Sequence, residues 1–267
     1  MKGIIGAIAG DVIGSAYEFN PTRDYDFELF TRNSTFTDDT VLTMANAQWL
    51  LEDEQHTHEK LVGMMLDWCR RYPDRGYGGR FARWIHDSDP QPYNSFGNGS
   101  AMRVSPIGYY AQSLNEALEL ARISAEVTHN HPEGIKGAQA TAAAIFMARK
   151  GHSKYEIREY VQQAFGYDLS RSLVEIRPTF TFDETCQHTV PEAITCFIEG
   201  KNYEDVVRLA VALAGDADTI AAIAGSISSA IEDVPHEISQ HVIALLNDEL
   251  CTTLLRFNEL VAKREQE

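Results

Sequence analysis

Apolar residues recur every three or four positions along most of this chain, which is the spacing of an amphipathic α-helix. The pattern is clearest in six segments, at residues 41–51, 117–125, 137–147, 206–214, 219–231 and 238–255. Alternation typical of strands is scarce. Residues 177–182 favour a short extended piece through their threonines and aromatics, although Pro178 weakens that prediction. The pattern therefore predicts an all-α fold with long functional loops.

Two of these segments are rich in small residues. The segment 137–147 contains alanines at 138, 140, 142, 143 and 144, and the segment 219–231 is rich in alanine, glycine and serine. Because small side chains let helix axes approach closely, we expect these two helices at the centre of a bundle. No linker or tandem repeat interrupts the chain, so we expect a single domain over residues 1–267.

The most irregular stretch covers residues 72–99. It is rich in glycine and proline, but it also holds several aromatic residues, among them Trp84 and Tyr93. A flexible tether would lack such aromatics. Long loops inside compact domains are usually functional or disordered, and here the aromatics favour a functional loop.

Composition narrows the classes of function. The 267 residues include 39 acidic and 23 basic ones, which gives a formal net charge of -16, and 44% are hydrophobic. The apolar content favours a folded core, whereas the acidic surface argues against extended nucleic-acid or anionic-membrane binding. Four scattered cysteines predict reduced thiols, and Asp11 interrupts the one apolar run that resembles a signal peptide. We expect a cytoplasmic protein, and a monomer.

Two acidic motifs immediately precede predicted helices: Phe36-Thr37-Asp38-Asp39-Thr40 and Gly215-Asp216-Ala217-Asp218-Thr219. Either motif alone is explained by N-capping, because threonine and aspartate bond free backbone N–H groups. Together they exceed what capping needs, since adjacent carboxylates in a first helical turn repel each other. Hard divalent cations would remove the repulsion. Four carboxylates converging from two helix starts would suffice for two such ions, with two threonine hydroxyls as neutral ligands.

A third acidic candidate is Glu18, which follows Gly10-Asp11-Val12-Ile13-Gly14 at the end of a predicted helix. A carboxylate is disfavoured at that end by the helix dipole, so its position hints at a partner. A solvated side chain is the alternative.

A glycine loop, Asn94-Ser95-Phe96-Gly97-Asn98-Gly99-Ser100, precedes another apolar segment. Successive backbone N–H groups in such a loop can form an anion-binding nest, and a purely structural turn is the alternative. The loop lacks the Gly-Lys-Ser/Thr ending of a Walker A motif. Further along, His131 stands directly before Pro132 at a helix entry. It either bonds a ribose or phosphate oxygen or caps the helix.

Taken in chain order, these motifs resemble the ADP-ribosylglycohydrolase family, which includes the dinitrogenase reductase activating glycohydrolases. The resemblance runs from about Gly3 to Ile231 and also draws on Gly97-Asn98-Gly99-Ser100-Ala101-Met102-Arg103 and Thr128-His129-Asn130-His131-Pro132. The chain departs from the family pattern at three positions. His188 stands where a glycine is expected, Ala217 where many members carry serine, and Ala214 where many carry a first glycine.

The resemblance implies an all-α orthogonal bundle with two Mg²⁺ ions, or Mn²⁺, at the base of a cleft that binds ADP-ribose. The implied metal ligands are Thr37, Asp38, Asp39, Asp216, Asp218 and Thr219. Glu18 matches an acidic residue that contacts the metal centre or gates substrate entry. The implied substrate contacts, to the diphosphate and distal ribose, are Asn94, Ser95, Phe96, Gly97, Asn98, Gly99, Ser100, Met102 and His131.

This residue set predicts a Mg²⁺-dependent hydrolase that cleaves the glycosidic bond between ADP-ribose and an acceptor, on an ADP-ribosylated protein or another conjugate. Either Asp38 or Glu18 serves as general base or proton shuttle. The leaving group stays open among an arginine guanidinium, a serine oxygen, an acetyl ester and a nucleobase. One alternative is a non-catalytic ADP-ribose-binding protein on the same fold. Another is an HD-type metal phosphohydrolase using His86 and Asp87, which leaves both acidic motifs unexplained.

Overall fold

Helices account for nearly all the regular structure of the protein. The computed structural model describes residues 1–266, and in that part of the chain there are 15 helices and no β-strand. They are α1 (Ile5–Gly14), α2 (Asp38–Glu52), α3 (His58–Arg71), α4 (Gly79–Ile85), α5 (Gly99–Met102), α6 (Ser105–Tyr110), α7 (Leu114–Glu126), α8 (Pro132–Arg149), α9 (Lys154–Phe165), α10 (Leu173–Ile176), α11 (Cys186–Glu199), α12 (Tyr203–Val211), α13 (Ala217–Ile231), α14 (His236–Leu245) and α15 (Asp248–Arg264). The prediction of an all-α fold is confirmed.

Local sequence explains where many of these helices begin and end. The side chains of Thr57 and Ser113 cap α3 and α7, each accepting a hydrogen bond from a backbone N–H three residues on. Helix α9 starts with a reciprocal capping box between Ser153 and Glu156. It ends at Gly166, whose φ of 68° lies in the left-handed region that favours glycine. Such signals lie within one turn of each boundary, so they can be recognised without knowing the tertiary fold.

Helices α1 and α13 are in direct backbone contact in the core. A Cβ added to Gly10 would lie 2.2 Å from the carbonyl oxygen of Ala221, and one added to Gly14 would lie 2.4 Å from the Cα of Asp218. The two backbones therefore touch, which only glycine permits at these positions. Because of this contact, the first turn of α13 lies directly against the end of α1.

The two helices rich in small residues lie at the centre, as predicted. In α13 every side chain from Ala217 to Ala230 is buried, and α8 is buried over most of its length and packs against α13. Larger side chains, including Trp49 and Trp68 at no more than 1% exposure, fill the space around this central pair. The core therefore combines close helix contacts at its centre with bulky residues outside them.

Some local predictions are wrong. Residues 238–255 form two helices instead of one, because the side chain of Asn247 accepts a hydrogen bond from the backbone N–H of Leu250 at 3.0 Å and starts α15 anew. Residues 177–182 form a turn followed by irregular chain, without a strand. The stretch 72–99 is mostly irregular, as expected, and contains the short helix α4.

The segment that resembles a signal peptide becomes α1, which is buried along its whole length. Among the described residues, none of the helices has the length and apolar character needed to cross a membrane. All four cysteines are free thiols, and three of them, Cys69, Cys186 and Cys196, are buried. This agrees with the prediction of reduced, mostly buried cysteines.

Candidate active site

A cleft with a volume of about 240 Å³ lies where α2 and α13 begin. All the carboxylates predicted for the metal centre line it, together with Thr219 and part of the glycine loop. These carboxylates are Glu18, Asp38, Asp39, Asp216 and Asp218. Residues distant in sequence therefore converge on one cavity, as the two acidic motifs predicted.

The start of α2 is held by a carboxylate that the sequence analysis did not assign to the site. Asp11, fully buried in the middle of α1, accepts hydrogen bonds from the hydroxyl of Thr37 at 2.7 Å and from its backbone N–H at 3.0 Å. It also accepts bonds from the backbone N–H of Thr40, at 3.1 Å, and from the Thr40 hydroxyl. The only sequence signal was an acid inside an apolar run. Asp11 fixes the first turn of α2, and with it Asp38 and Asp39, against α1.

Thr37 lies just behind the cleft wall instead of lining it. Its hydroxyl hydrogen goes to Asp11, and its oxygen accepts the backbone N–H of Asp39 at 3.3 Å. It therefore does cap α2, as the alternative interpretation of this motif held. A hydroxyl whose hydrogen is committed elsewhere keeps lone-pair capacity on its oxygen, so capping does not exclude a role as a metal ligand.

Capping does not explain the second motif, because the side chain of Asp216 makes no cap hydrogen bond to α13. Instead Asp216 accepts a hydrogen bond from the Asn98 side-chain amide at 2.6 Å. The Thr219 hydroxyl donates to Asp39 at 3.3 Å and thereby joins the two helix starts. Glu18, which lies in the turn beyond α1 and not at its end, can bring one oxygen within 4.8 Å of an oxygen of Asp216 and of one of Asp218.

The crowded carboxylates raise one another's pKa values. Burial is the largest cause, followed by repulsion from Asp218, and together they raise the pKa values of Asp38 and Asp39 well above the ordinary range. Burial and repulsion likewise raise the pKa of Glu18 to about 8. Burial, opposed by the hydrogen bond from Asn98, raises the pKa of Asp216 to about 7. The protein itself provides too few donors for these acids to ionise together.

An oxygen ligand set of this kind fits hard divalent cations. Neither histidine nor cysteine belongs to the cluster of Glu18, Asp216 and Asp218, which argues against a soft metal. Within residues 1–266, Asp39 Oδ1 is buried and has no hydrogen-bond partner. A buried carboxylate oxygen without a donor is costly, and a cation would satisfy it.

The glycine loop forms another wall of the cleft. Its start is held by backbone bonds from Tyr93 and Ser95 to the carbonyl of Thr128, at 3.3 and 3.4 Å, and its end by Asn98 N–H donating to the Glu184 carbonyl at 2.7 Å. The predicted contacts Ser95, Gly97, Asn98, Gly99 and Met102 line the cleft, whereas Asn94, Phe96 and Ser100 do not. The Ser100 hydroxyl instead donates to the carbonyl of Gly134 at 2.7 Å.

The structure distinguishes the two neighbouring histidines. His131 caps α8, its Nδ1 accepting the backbone N–H of Glu133 at 3.1 Å, and it does not line the cleft. His129, only 5% exposed, does line it. Burial, and then the charges of Arg103 and Arg80, keep the pKa of His129 well below its usual value. Other lining residues missed from the sequence are Arg80, Tyr93, Arg103 and Glu184.

Three further positions bear on the alternatives and on the departures from the family pattern. His86 and Asp87 are exposed at the end of α4 and do not line the cleft, so the HD-type alternative receives no support. His188 is exposed and pairs with Asp183 at 3.1 Å, away from the carboxylates. Ala214 has a φ of 60°, a left-handed conformation in which glycine is favoured.

The all-α fold agrees with the resemblance, and the five predicted carboxylates line one cleft. The whole chain, residues 1–267, matches the family model described as ADP-ribosylglycohydrolase. The chain therefore belongs to the ADP-ribosylglycohydrolase family, and it is an enzyme of the ADP-ribosyl glycohydrolase type.

Individual relatives agree with this membership. ADP-ribosylhydrolase ARH3 of Homo sapiens is 27% identical over 317 residues, spanning 89% of this chain and 87% of that protein. ADP-ribosylarginine hydrolase Tri1 of Pseudomonas putida (strain GB-1) is 25% identical over 264 residues, spanning 86% of this chain and 70% of that protein. A solved structure described as an ADP-ribosylglycohydrolase-related protein complex matches with a TM-score of 0.73 at 24% identity, covering 97% of this chain and 96% of that one, and supports the fold.

Proposed function

We propose that this protein is a Mg²⁺-dependent hydrolase that cleaves the glycosidic bond between ADP-ribose and an acceptor. The observation that carries the proposal is the convergence of five carboxylates from two helix starts and the turn after α1 on one cleft. Thr37, Asp38, Asp39, Asp216, Asp218 and Thr219 would hold two Mg²⁺ ions, or Mn²⁺. When bound, the ions would orient ribose hydroxyls and activate a water for attack at the anomeric carbon.

The burial of the carboxylates suggests two different roles, metal ligand and proton-exchanging group. Asp39 and Asp218 are deeply buried and fixed to neighbouring backbone or hydroxyl groups, which suits ligands that must keep one geometry. Asp38 and Glu18 are only partly buried and face the cleft, so either can reach solvent and exchange a proton. Burial and repulsion raise the pKa of Glu18 to about 8 in the metal-free protein, and a place facing the cleft would let Glu18 act as general base or proton shuttle once the ions are bound. Asp38 is the alternative base.

The glycine loop would hold the substrate. Asn98 donates to Asp216 at 2.6 Å and to the Thr189 hydroxyl at 3.1 Å, so the loop is tied to the carboxylates by one side chain. A diphosphate bound along Gly97 and Gly99 would thereby be held at a fixed distance from the metal ligands. Fixed separation of binding and reacting groups is what orients a glycosidic bond for attack.

The acceptor is an ADP-ribosylated protein side chain or a related conjugate. One relative is named for ADP-ribosylarginine, which makes an arginine linkage the first to test. The experiment presents arginine-linked, serine-linked and nucleic-acid-linked ADP-ribose with Mg²⁺ or with EDTA and follows free ADP-ribose by mass spectrometry. We expect release from at least one substrate, abolished by EDTA and by Asp38→Ala or Asp218→Ala. His86→Ala, at an exposed position outside the cleft, is the matched control and should release ADP-ribose normally.

Two outcomes would contradict the proposal. Release that is insensitive to EDTA and to both aspartate variants would exclude a metal hydrolase. Calorimetric binding of ADP-ribose without release from any substrate would instead support a non-catalytic ADP-ribose-binding protein.

A further inference from the structure

A chain of buried hydrogen bonds runs behind the glycine loop. The Arg103 guanidinium donates from Nη2 to the Thr128 hydroxyl oxygen at 2.9 Å, and that oxygen lies 2.7 Å from Nδ1 of His129. Arg103 and Thr128 have no exposed surface, and His129 is 5% exposed. Arg103 is also anchored by a 2.7 Å bond from Nη2 to the carbonyl of Ser124. Burial and anchoring keep this chain in one geometry.

The direction of each hydrogen bond in this chain can be assigned. Arginine can only donate, so the Thr128 oxygen accepts from Arg103 and its own hydrogen is free for another partner. Among residues 1–266 the acceptor within reach of that hydrogen is Nδ1 of His129. If Nδ1 carried the proton instead, the buried hydroxyl hydrogen would have no partner, which is costly. His129 is therefore the tautomer with its proton on Nε2.

The Nε2 atom faces the glycine loop. A Cβ added to Gly99 would lie 3.1 Å from Nε2, and one added to Gly97 would lie 3.6 Å from it. No protein acceptor within the described chain takes the Nε2 proton. The N–H is thus available to a ligand held by the loop.

Positive charge surrounds this donor. Arg103 lies behind it, and Arg80, exposed on the cleft wall, places its guanidinium 4.8 Å from the centre of the Tyr93 ring. That ring is in turn 6.0 Å from the ring of His129. Arg80 also donates to the Tyr93 carbonyl, which fixes its position. Two guanidinium groups beside a neutral N–H donor favour an anionic oxygen as the ligand.

We propose that Arg103 and Thr128 are positioning residues that fix His129 as an Nε2–H donor, and that this N–H binds a phosphate oxygen of the substrate beside Gly97 and Gly99. The identity of the ligand rests on the proposed function, whereas the tautomer of His129 does not. The two halves are therefore tested by separate measurements.

The tautomer is read by NMR of protein carrying ¹⁵N-labelled histidine. The His129 signals are those missing from a His129→Gln variant. We expect Nε2 of the wild type to show the shift of a protonated nitrogen and Nδ1 that of an unprotonated one. Thr128→Val should mix or reverse the tautomers, and Thr128→Ser should restore them. Thr141→Val removes another buried hydroxyl, one without a hydrogen-bond partner, and should leave the His129 signals unchanged.

Ligand binding is measured by calorimetry with ADP and with adenosine, both in Mg²⁺. We expect Thr128→Val to weaken ADP binding about tenfold, the size of one hydrogen bond to a charged group, while Thr128→Ser and Thr141→Val bind as the wild type does. Adenosine, which lacks phosphate, should bind all four proteins alike.

A wild-type His129 protonated on Nδ1, or a Thr128→Val protein that matches Thr141→Val in both measurements, would overturn the positioning role. The wild-type spectrum alone decides the tautomer even if Thr128→Val does not fold. An equal loss of adenosine binding, or no binding of ADP by the wild type, would overturn the phosphate assignment. Failure of the wild type to release ADP-ribose from any conjugate would refute the proposed function and leave the tautomer untouched.

Discussion

Two walls of the cleft satisfy their polar groups in opposite ways. The acidic wall consists of Glu18, Asp38, Asp39, Asp216 and Asp218, and the loop wall consists of Ser95, Gly97, Asn98 and Gly99 with His129 behind them. On the acidic wall, like charges crowd together with few donors and their pKa values rise. On the loop wall, backbone and side-chain groups bond to one another before any ligand arrives.

The difference shows which wall has its polar groups better satisfied before any ligand binds. Buried groups that lack partners cost free energy, whereas a bonded network rigidifies the region around it. The loop wall therefore presents an ordered surface to a ligand, whereas the like charges of the acidic wall would be relieved by the cations proposed above. Changes on the acidic wall should alter stability and metal dependence together, and changes on the loop wall should alter ligand affinity alone.

The largest effect is expected from Asp218→Asn. Removing this carboxylate should lower the rate of ADP-ribose release about a thousandfold or more, since the metal ligands would act in the transition state. The same change removes a like charge that raises the pKa values of Asp38 and Asp39. The thermal unfolding midpoint in EDTA should therefore rise, and the further rise caused by Mg²⁺ should shrink or vanish.

The matched change on the loop wall is His129→Gln, which should leave the Mg²⁺-induced rise intact. An Asp218→Asn protein that is still stabilised by Mg²⁺ as strongly as the wild type would contradict the role assigned to the acidic wall.

The second effect concerns the helix contact that builds the acidic wall. In Gly14→Ala, the new Cβ would lie 2.4 Å from the Cα of Asp218 and 2.5 Å from the carbonyl oxygen of Ala217, so α1 and α13 must separate. We expect a loss of about 2–3 kcal/mol in unfolding free energy, measured by urea denaturation, together with weaker Mg²⁺ binding.

Gly63→Ala in α3 is its control, because no atom lies within 4 Å of the added Cβ there. Higher helix propensity should stabilise that variant by about 0.5–1 kcal/mol. Equal stability of the two variants would show that the contact between α1 and α13 is not as close as described.

The sequence predicts the acidic wall better than the loop wall, for a physical reason. Asp38, Asp39, Asp216 and Asp218 lie within one turn of a helix start, so their position follows from local signals. Asp11 looked like an interruption of an apolar run, because its four donors come from residues 26 and 29 positions away. Only the tertiary contact reveals its function.

The histidines illustrate the same limit on the loop wall. His131 next to Pro132 carries a strong local signal, and it does cap a helix. Whether His129 or His131 faces the cleft depends on how the chain at 128–130 docks against Tyr93 and Ser95, which no local pattern encodes. For the fold, the sequence pattern predicts that the helices exist. It does not predict the break between α14 and α15 at Asn247, because the helical spacing of apolar residues continues across that position.

A smaller effect is expected from Gly99→Ala. The added Cβ would lie 3.1 Å from Nε2 and 3.2 Å from Cε1 of His129, so the ring must shift by a few tenths of an ångström. We expect about tenfold weaker ADP-ribose binding by calorimetry, with little change in unfolding free energy. If Gly99→Ala instead lowered the unfolding free energy substantially and left the affinity for ADP-ribose unchanged, the loop wall would serve stability and not ligand binding.

A final effect is a dependence of the stability of the metal-free protein on pH, and its sign differs between the walls. In the metal-free protein the pKa values of Asp11, Asp216 and Glu18 are raised from 3.8, 3.8 and 4.5 to about 6, 7 and 8, with burial as the largest cause in each. The folded state therefore keeps protons that the unfolded state has released. Stability from these groups is full below about pH 4 and is lost as the pH rises through the folded values.

His129 acts in the opposite direction, because burial and Arg103 lower its pKa below the usual 6.5. The unfolded state then binds the extra proton, so stability from this group is present above pH 6.5 and is lost as the pH falls. The acids outnumber His129, so the unfolding midpoint in EDTA should fall between pH 5 and pH 8. Asp218→Asn should flatten that fall and His129→Gln should steepen it. Mg²⁺ at pH 8 should recover the midpoint, whereas a midpoint that rises with pH in EDTA would show that the carboxylates of the acidic wall do not repel one another.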